Sequence, residues 1–248
     1  MIGFGLDLAG YTQKKTSLAA IIPQGMTAHV TLLRGSAFSR QRATTSNLDR
    51  TVDEEAKEVQ RCMSLGSVSV DIPIDFQGLP FPPRATELWQ LTLRPIDKLL
   101  RAMPPFADRI GAPAARFAAI VRHAKLDSAL GDRLFETYPT AIWQKLDIVP
   151  GLYKAKGKER IKEQRAACSA LCERLSIVPP LYNDDDIDAL ICAVTSVAPA
   201  TDLWGPDDYK IKSADLPRGY RLLKRNPFKE IRQTAAAFSE WISSREKS

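Results

Sequence analysis

The chain has 248 residues, a net charge of +6 and a pI near 9.2, with 44% hydrophobic and 26% charged residues. That balance excludes a disordered or fibrous chain, and the length is enough for one large buried core. The basic excess leans towards phosphate-bearing partners, with equal weight on a basic protein that has none. No apolar run approaches a membrane span, and the opening MIGFGLD lacks the basic segment of a signal peptide. A cytoplasmic protein with no membrane contact is therefore expected. The four cysteines, Cys62, Cys168, Cys172 and Cys192, read as buried thiols in a reducing compartment. A zinc site from Cys168 and Cys172 with His29 or His123 would have poor ligand spacing.

Ile2, Phe4, Leu6 and Leu8 alternate with Gly3, Gly5 and Asp7, the period of a strand. Residues 16–23 and 27–34 read as two more, joined at PQG, so the chain opens as a three-stranded antiparallel meander. A helix is expected from about Thr51, where Thr51 and Glu54 match a capping box. SVSVDIPI is a fourth strand, with Ser67, Ser69 and Asp71 on one face and Pro73 weakening its pairing. The proline-rich stretch from Phe76 to Pro105 lacks a period. It opens an insertion over 76–130 carrying a short helix near Pro95 to Met103 and a helix over 113–128. RLFETYP is the next strand, followed by one or two helical turns over 140–147. A helix is expected from Lys156 to Leu175, stopped by Pro179 and Pro180, and another in DDDIDALICAVTSVA. An irregular basic tail over 204–227 and a last helix over 228–244 complete a single domain of 1–248. Strands separated by helices imply parallel pairing for the later ones, hence an α/β fold around a mixed sheet.

Acids collect in four places. Asp7 and Asp71 each end a strand whose opposite face is bulky and aliphatic, with only Gly5 and Ser69 beside them on their own face. If these strands are neighbours, the two carboxylates share a hollow, and a divalent cation between them removes their repulsion. Alone, each acid is better explained as a loop cap or an arginine partner. Glu136, in LFETYP, shares a face with Leu134 and Tyr138, and a salt bridge to an arginine of the insertion is the bland account of it. In YNDDDIDAL, one or two acids suit the helix dipole and Asn183 or Asp184 is the N-cap. Asp185 and Asp188 stand three apart on one side of that helix, which favours metal binding slightly over capping. Carboxylates of this kind build sites for Mg²⁺ or Mn²⁺.

The set GFGLDLAG, VSVDIPI, FETYP, YK and DDDIDALICA, in that order over roughly residues 2–198, resembles the DUF429 family of predicted nucleases with a ribonuclease H-like fold. LRPID, with Arg94 and Asp97, is similar to a further element of that family. The first and last motifs are also similar to those of RuvC-type resolvases. The resemblance implies a ribonuclease H-like mixed sheet, antiparallel in strands 1–3 and parallel later, flanked by helices, with a long insertion after the fourth strand. It implies that Asp7, Asp71 and one or both of Asp185 and Asp188 are metal ligands, with Glu136, at the family's E-x-Y-P position, either a further acid or a group that supports the ligands. With three consecutive acids, either Asp185 or Asp186 can be the matching residue.

Cations cluster in YKAKGKERIKEQR, where Lys154, at the position of the family's YK, and Lys158 are candidates for phosphate binding together with Arg94. A solvated helix face explains this run equally well. The tail adds Lys210, Lys212, Arg218, Arg221, Lys224 and Arg225, and Tyr153, Trp204, Tyr209 and Tyr220 are either base-stacking or packing residues. The reading that follows is a metal-dependent nuclease or phosphodiesterase using Mg²⁺ or Mn²⁺. Asp7 and Asp71 would bridge two ions, Asp188 and Asp185 would complete a shell, and Glu136 would orient water or hold the second ion. The alternatives are a nucleic-acid-binding or protein-interaction module without turnover and, last, an actin-like phosphotransferase, since GLDLAG also resembles a sugar-kinase phosphate loop.

Overall fold

The alternation at the start of the chain produces a central strand with two different faces. In the computed structural model, residues 1–10, 16–34, 36–40, 47–75, 94–100, 102, 111–141, 160–210, 212 and 216–233 are described. The strands are β1 (Ile2–Asp7), β2 (Ser17–Gln24), β3 (Thr27–Leu32), β4 (Gly66–Val70), β5 (Leu134–Glu136), β6 (Ile177–Val178) and β7 (Glu230–Gln233). They form one seven-stranded sheet in the order β5-β4-β1-β2-β3-β7-β6. β1–β2 and β2–β3 are antiparallel, and every other pairing is parallel. The helices that flank it are α1 (Leu48–Leu65), α2 (Pro95–Leu100), α3 (Gly111–Ala124), α4 (Ile161–Arg174) and α5 (Asp184–Val197). The expected α/β fold with an antiparallel opening and parallel later strands is present. Among the described residues no helix is long and apolar enough to cross a membrane.

Each sheet face has its own core. Ile2, Phe4, Leu6 and Leu8 join Val68, Val70 and Leu134 against α1 and α3, where Ala56, Val59, Phe117 and Ile120 are buried. On the other face Ala19, Ile21, Ala28 and Val30 pack under α4 and α5, with Ile187, Leu190 and Val194 filling the space. Burying these side chains is the main source of stability, at roughly 25 cal/mol per Å² of apolar surface. β1 presents glycines to α5 because no larger residue fits. A Cβ at Gly5 would overlap the backbone of Ala189 and Ala193, and one at Gly3 would overlap Ser196 and Ala193. The helix therefore lies directly on β1, running against it, so that its N-terminus advances towards Asp7.

Several expectations change. α1 starts at Leu48, one residue after Asn47, and the Thr51 hydroxyl donates to the Asn47 carbonyl at 2.9 Å instead of capping. The strand in SVSVDIPI ends at Val70, one residue before Asp71. The region read as an insertion over 76–130 contributes α3 to the core beneath α1, and the buried Arg116–Glu55 pair joins these two helices. Burial pushes the Glu55 carboxyl above its ordinary value, against the pull of Arg116. Arg116 also donates to the Ala9 carbonyl at 2.6 Å, which anchors the chain just past Asp7. The helix expected over 228–244 is instead a strand over Glu230–Gln233, because the outer edge of β3 supplies a parallel partner. The rest of that expected helix lies outside the described residues, as does most of 140–147.

Candidate metal and phosphate site

Register decides which acids meet. Parallel β1 and β4 pair Gly5 with Ser69 and Leu6 with Val70, and the ladder continues one residue further, the Asp71 N–H donating to the Leu6 carbonyl at 3.0 Å. Asp7 and Asp71 are therefore side by side at the ends of adjacent strands, whose backbones run about 5 Å apart. Alternation along β1 puts Asp7 on the face of Gly3 and Gly5, the face covered by α5. Asp7 is also the antiparallel partner of Ser17. Thr137 follows on the far side, its N–H donating to the Val70 carbonyl at 3.0 Å, which sets it beside Asp71. The result is a row across four strands: Ser17, Asp7, Asp71, Thr137.

α5 brings its acids to this row. Asn183 caps it, its side-chain oxygen accepting from the Asp185 N–H at 3.0 Å. Asp184, Asp185 and Asp186 occupy the first turn, where the helix dipole favours negative charge. Ala189, Cys192 and Ala193 touch Gly5. Asp185, four residues before Ala189, and Asp188, four before Cys192, extend that side of the helix towards Asp7 and Asp71. Asp188 is fully buried. Asp186 turns towards β2: Arg34 Nη1 and Nη2 donate to its two oxygens at 2.8 and 2.5 Å, and Ser17 Oγ donates at 2.6 Å. Of the two acids that could match the late motif, Asp186 is thus held by an arginine fork, and Asp185 lies on the side that meets β1.

Two expected site residues line a cavity with Asp71 but are committed to each other. Glu136 pairs with Val70, whose side chain shares the face of Leu6 and Leu134, opposite to that of Asp7 and Asp71. Both its oxygens are committed: Arg94 Nη2 donates at 2.6 Å, Arg94 Nη1 at 2.9 Å and the Ile74 N–H at 3.0 Å. Burial pushes its carboxyl above the ordinary value, against the pull of Arg94. Arg94 is 3% exposed, forks onto Asp97 at 2.8 and 2.9 Å, and donates to the Asp75 carbonyl. Burial works against its charge, and the Glu136 and Asp97 carboxylates more than offset it, so the guanidinium is held protonated. In place of a water-orienting acid and a phosphate clamp, these residues form a buried node that pins α2 to β5. Lys154 and Lys158 lie outside the described residues.

The tail's basic residues are largely structural. Arg218 pairs with Asp75, Lys224 with Asp208 and Arg225 with Asp202. Arg221 lies 3.3 Å over the Phe135 ring. Trp204, Tyr209 and Tyr220 pack on one another, with centroids 5.3 and 6.2 Å apart, in a small core beside α2, so they serve packing and not base stacking. Tyr153 is outside the described residues. Arg34, 63% exposed, stands beside the row, bonded to Asp186, which also accepts from Ser17. Sequence reasoning missed it, because nothing local to TLLRG ties it to a helix 152 residues away.

The donors suit a hard cation. Among the described residues, no three His, Cys, Asp or Glu side chains form a group that could hold a metal ion. Mg²⁺ does not need one: it is commonly held by one or two carboxylates, with water and substrate phosphate completing the shell. Asp7 and Asp71 supply two. A thiolate site does not fit, since all four cysteines are buried, burial pushes the Cys168 thiol up to about 12, and the Cys172 sulfur accepts the Leu181 N–H at 3.2 Å. Compared with models of protein families, with curated proteins and with solved structures, the chain matches none.

Proposed function

We propose that this chain is a metal-dependent phosphodiesterase acting on nucleic acid, a nuclease of the ribonuclease H-like kind. The observation that carries the proposal is the in-register placement of Asp7 beside Asp71 at the sheet edge reached by the acidic N-terminus of α5. The antiparallel β1–β3 meander followed by parallel β4 and β5 supports the fold that the family resemblance implies. Asp7 and Asp71 would hold Mg²⁺ or Mn²⁺, with water and substrate phosphate completing the shell, and Asp188 and Asp185 add negative charge from the end of α5 that reaches the row. A divalent cation there supplies the positive charge that activates water and stabilises the leaving oxygen of a phosphodiester. Without it the two carboxylates would repel the substrate. Arg34 places an exposed guanidinium at the rim of the row, its fork held by Asp186. The Arg94–Glu136–Asp97 node and the Arg116 contact to Ala9 fix the backbone on either side of the pair.

A screen over DNA, RNA and hybrid substrates with Mg²⁺ or Mn²⁺ tests this. Cleavage is expected with metal and is expected to stop on chelation. A second reading is favoured by the absence of a three-acid group among the described residues. It is a nucleic-acid-binding module without turnover. It predicts binding that no chelator disturbs and no cleavage with either cation, and that outcome would replace the first reading.

A further inference from the structure

Trp204, Tyr209 and Tyr220 are used in packing, but Tyr182 is not: it is 51% exposed, directly before the Asn183 that caps α5. Its backbone neighbours are fixed. Leu181 is buried and donates its N–H to Cys172 Sγ at 3.2 Å, and the Asn183 carbonyl accepts from the Ile187 N–H at 3.2 Å. A ring held in solvent by a fixed backbone loses little freedom when something stacks on it. Gln164 on α4 donates to Asp184 Oδ1 at 3.3 Å, which ties the first turns of α4 and α5 together next to Tyr182. That end of α4 is basic and exposed. Arg160 is paired with Glu163, whereas Lys162 and Arg165 have no carboxylate partner among the described residues. Ile161, 42% exposed, adds a second apolar side chain. The first-turn acids of α5 repel phosphate, so a polyanion lying over Tyr182 meets its countercharge on α4.

We propose that Tyr182, with Lys162 and Arg165, forms a landing surface for single-stranded nucleic acid beside the row. The exposed ring stacks on one base and the two cations take flanking phosphates, the combination of aromatic and basic groups that holds single strands without sequence preference. A duplex does not suit the ring, because the faces of its bases are covered by their neighbours in the stack. The inference rests on the reading of the chain as acting on nucleic acid and narrows that substrate to a single strand. It needs no bound cation, so it holds or fails apart from the Asp7–Asp71 pair.

Fluorescence anisotropy of the full chain with labelled oligothymidylate, oligouridylate and duplexes of the same length, in EDTA at several salt concentrations, tests this. The parent is expected to prefer a single strand. Tyr182→Ala is expected to weaken single-strand binding about tenfold, within the range of one base–aromatic stack, and to leave duplex binding unchanged. Tyr182→Phe keeps the ring and is expected to stay within about twofold of the parent. Replacing Lys162 and Arg165 together by alanine is expected to reduce the slope of log affinity against log salt by about 1.4, at roughly 0.7 for each of two phosphate contacts on a single strand. Parent-like single-strand binding by Tyr182→Ala, equal weakening towards single strand and duplex, or an unchanged salt slope in the double alanine variant overturns the proposal and leaves the nuclease reading intact. A parent that prefers duplex also overturns it. A parent that binds none of these nucleic acids overturns both the proposal and the reading it rests on.

Discussion

Asp7→Asn is expected to lower metal-dependent cleavage at least about a hundredfold, since loss of an outer-shell partner alone costs 10- to 100-fold and Asp7 is proposed as a direct ligand. The exchange keeps size and shape, so the fold is expected to survive. Asp71→Asn, one strand across in the same register, should behave alike. The measurement is initial cleavage rate at saturating Mg²⁺ or Mn²⁺, beside a thermal melt of each variant. Cleavage by Asp7→Asn at the parent rate would show that the reaction does not run through this pair.

Arg94→Met is expected to cost about 3–5 kcal/mol, because it leaves the Glu136 and Asp97 carboxylates buried and uncompensated. For a chain of this size that corresponds to a fall in Tm of roughly 10 °C. The effect on stability should exceed any change in Mn²⁺ affinity in the protein that remains folded, since Arg94, Glu136 and Asp97 are bonded to one another and not placed as cation ligands. Urea unfolding of parent and variant gives the difference directly. A loss below about 1 kcal/mol, the scale of an exposed ion pair, would mean that the node is not the anchor its geometry describes.

How much of this was legible depended on how local each signal is. The two-faced character of β1 is written in seven residues: bulky side chains for one core, and glycines plus an acid for the face that α5 lies on. The N-terminal acids and apolar stripe of α5 are equally local. Asp7 and Asp71 could be matched as similar surroundings, while their adjacency needed the register of a crossover from β1 to β4. Glu136 shows the limit of alternation: it correctly grouped Glu136 with Leu134, but the face of the sheet that this pair occupies depends on pairing with Val70. The partner that neutralises Glu136 is Arg94, 42 residues away in sequence. The residues of β7, KEIRQ, are too few to show a period, and only the outer edge of β3 makes them a strand. α3 looked like part of an insertion since a weak apolar stripe cannot announce that Phe117 and Ile120 meet α1.

Electron paramagnetic resonance titration of Mn²⁺ into the parent chain and into Asp7→Asn and Asp71→Asn tests the shared-cation claim most directly, because it needs no knowledge of the substrate. The account predicts saturable Mn²⁺ binding by the parent that is lost or weakened at least about tenfold in each single variant. Equal Mn²⁺ binding by all three proteins, or none by the parent, would contradict it.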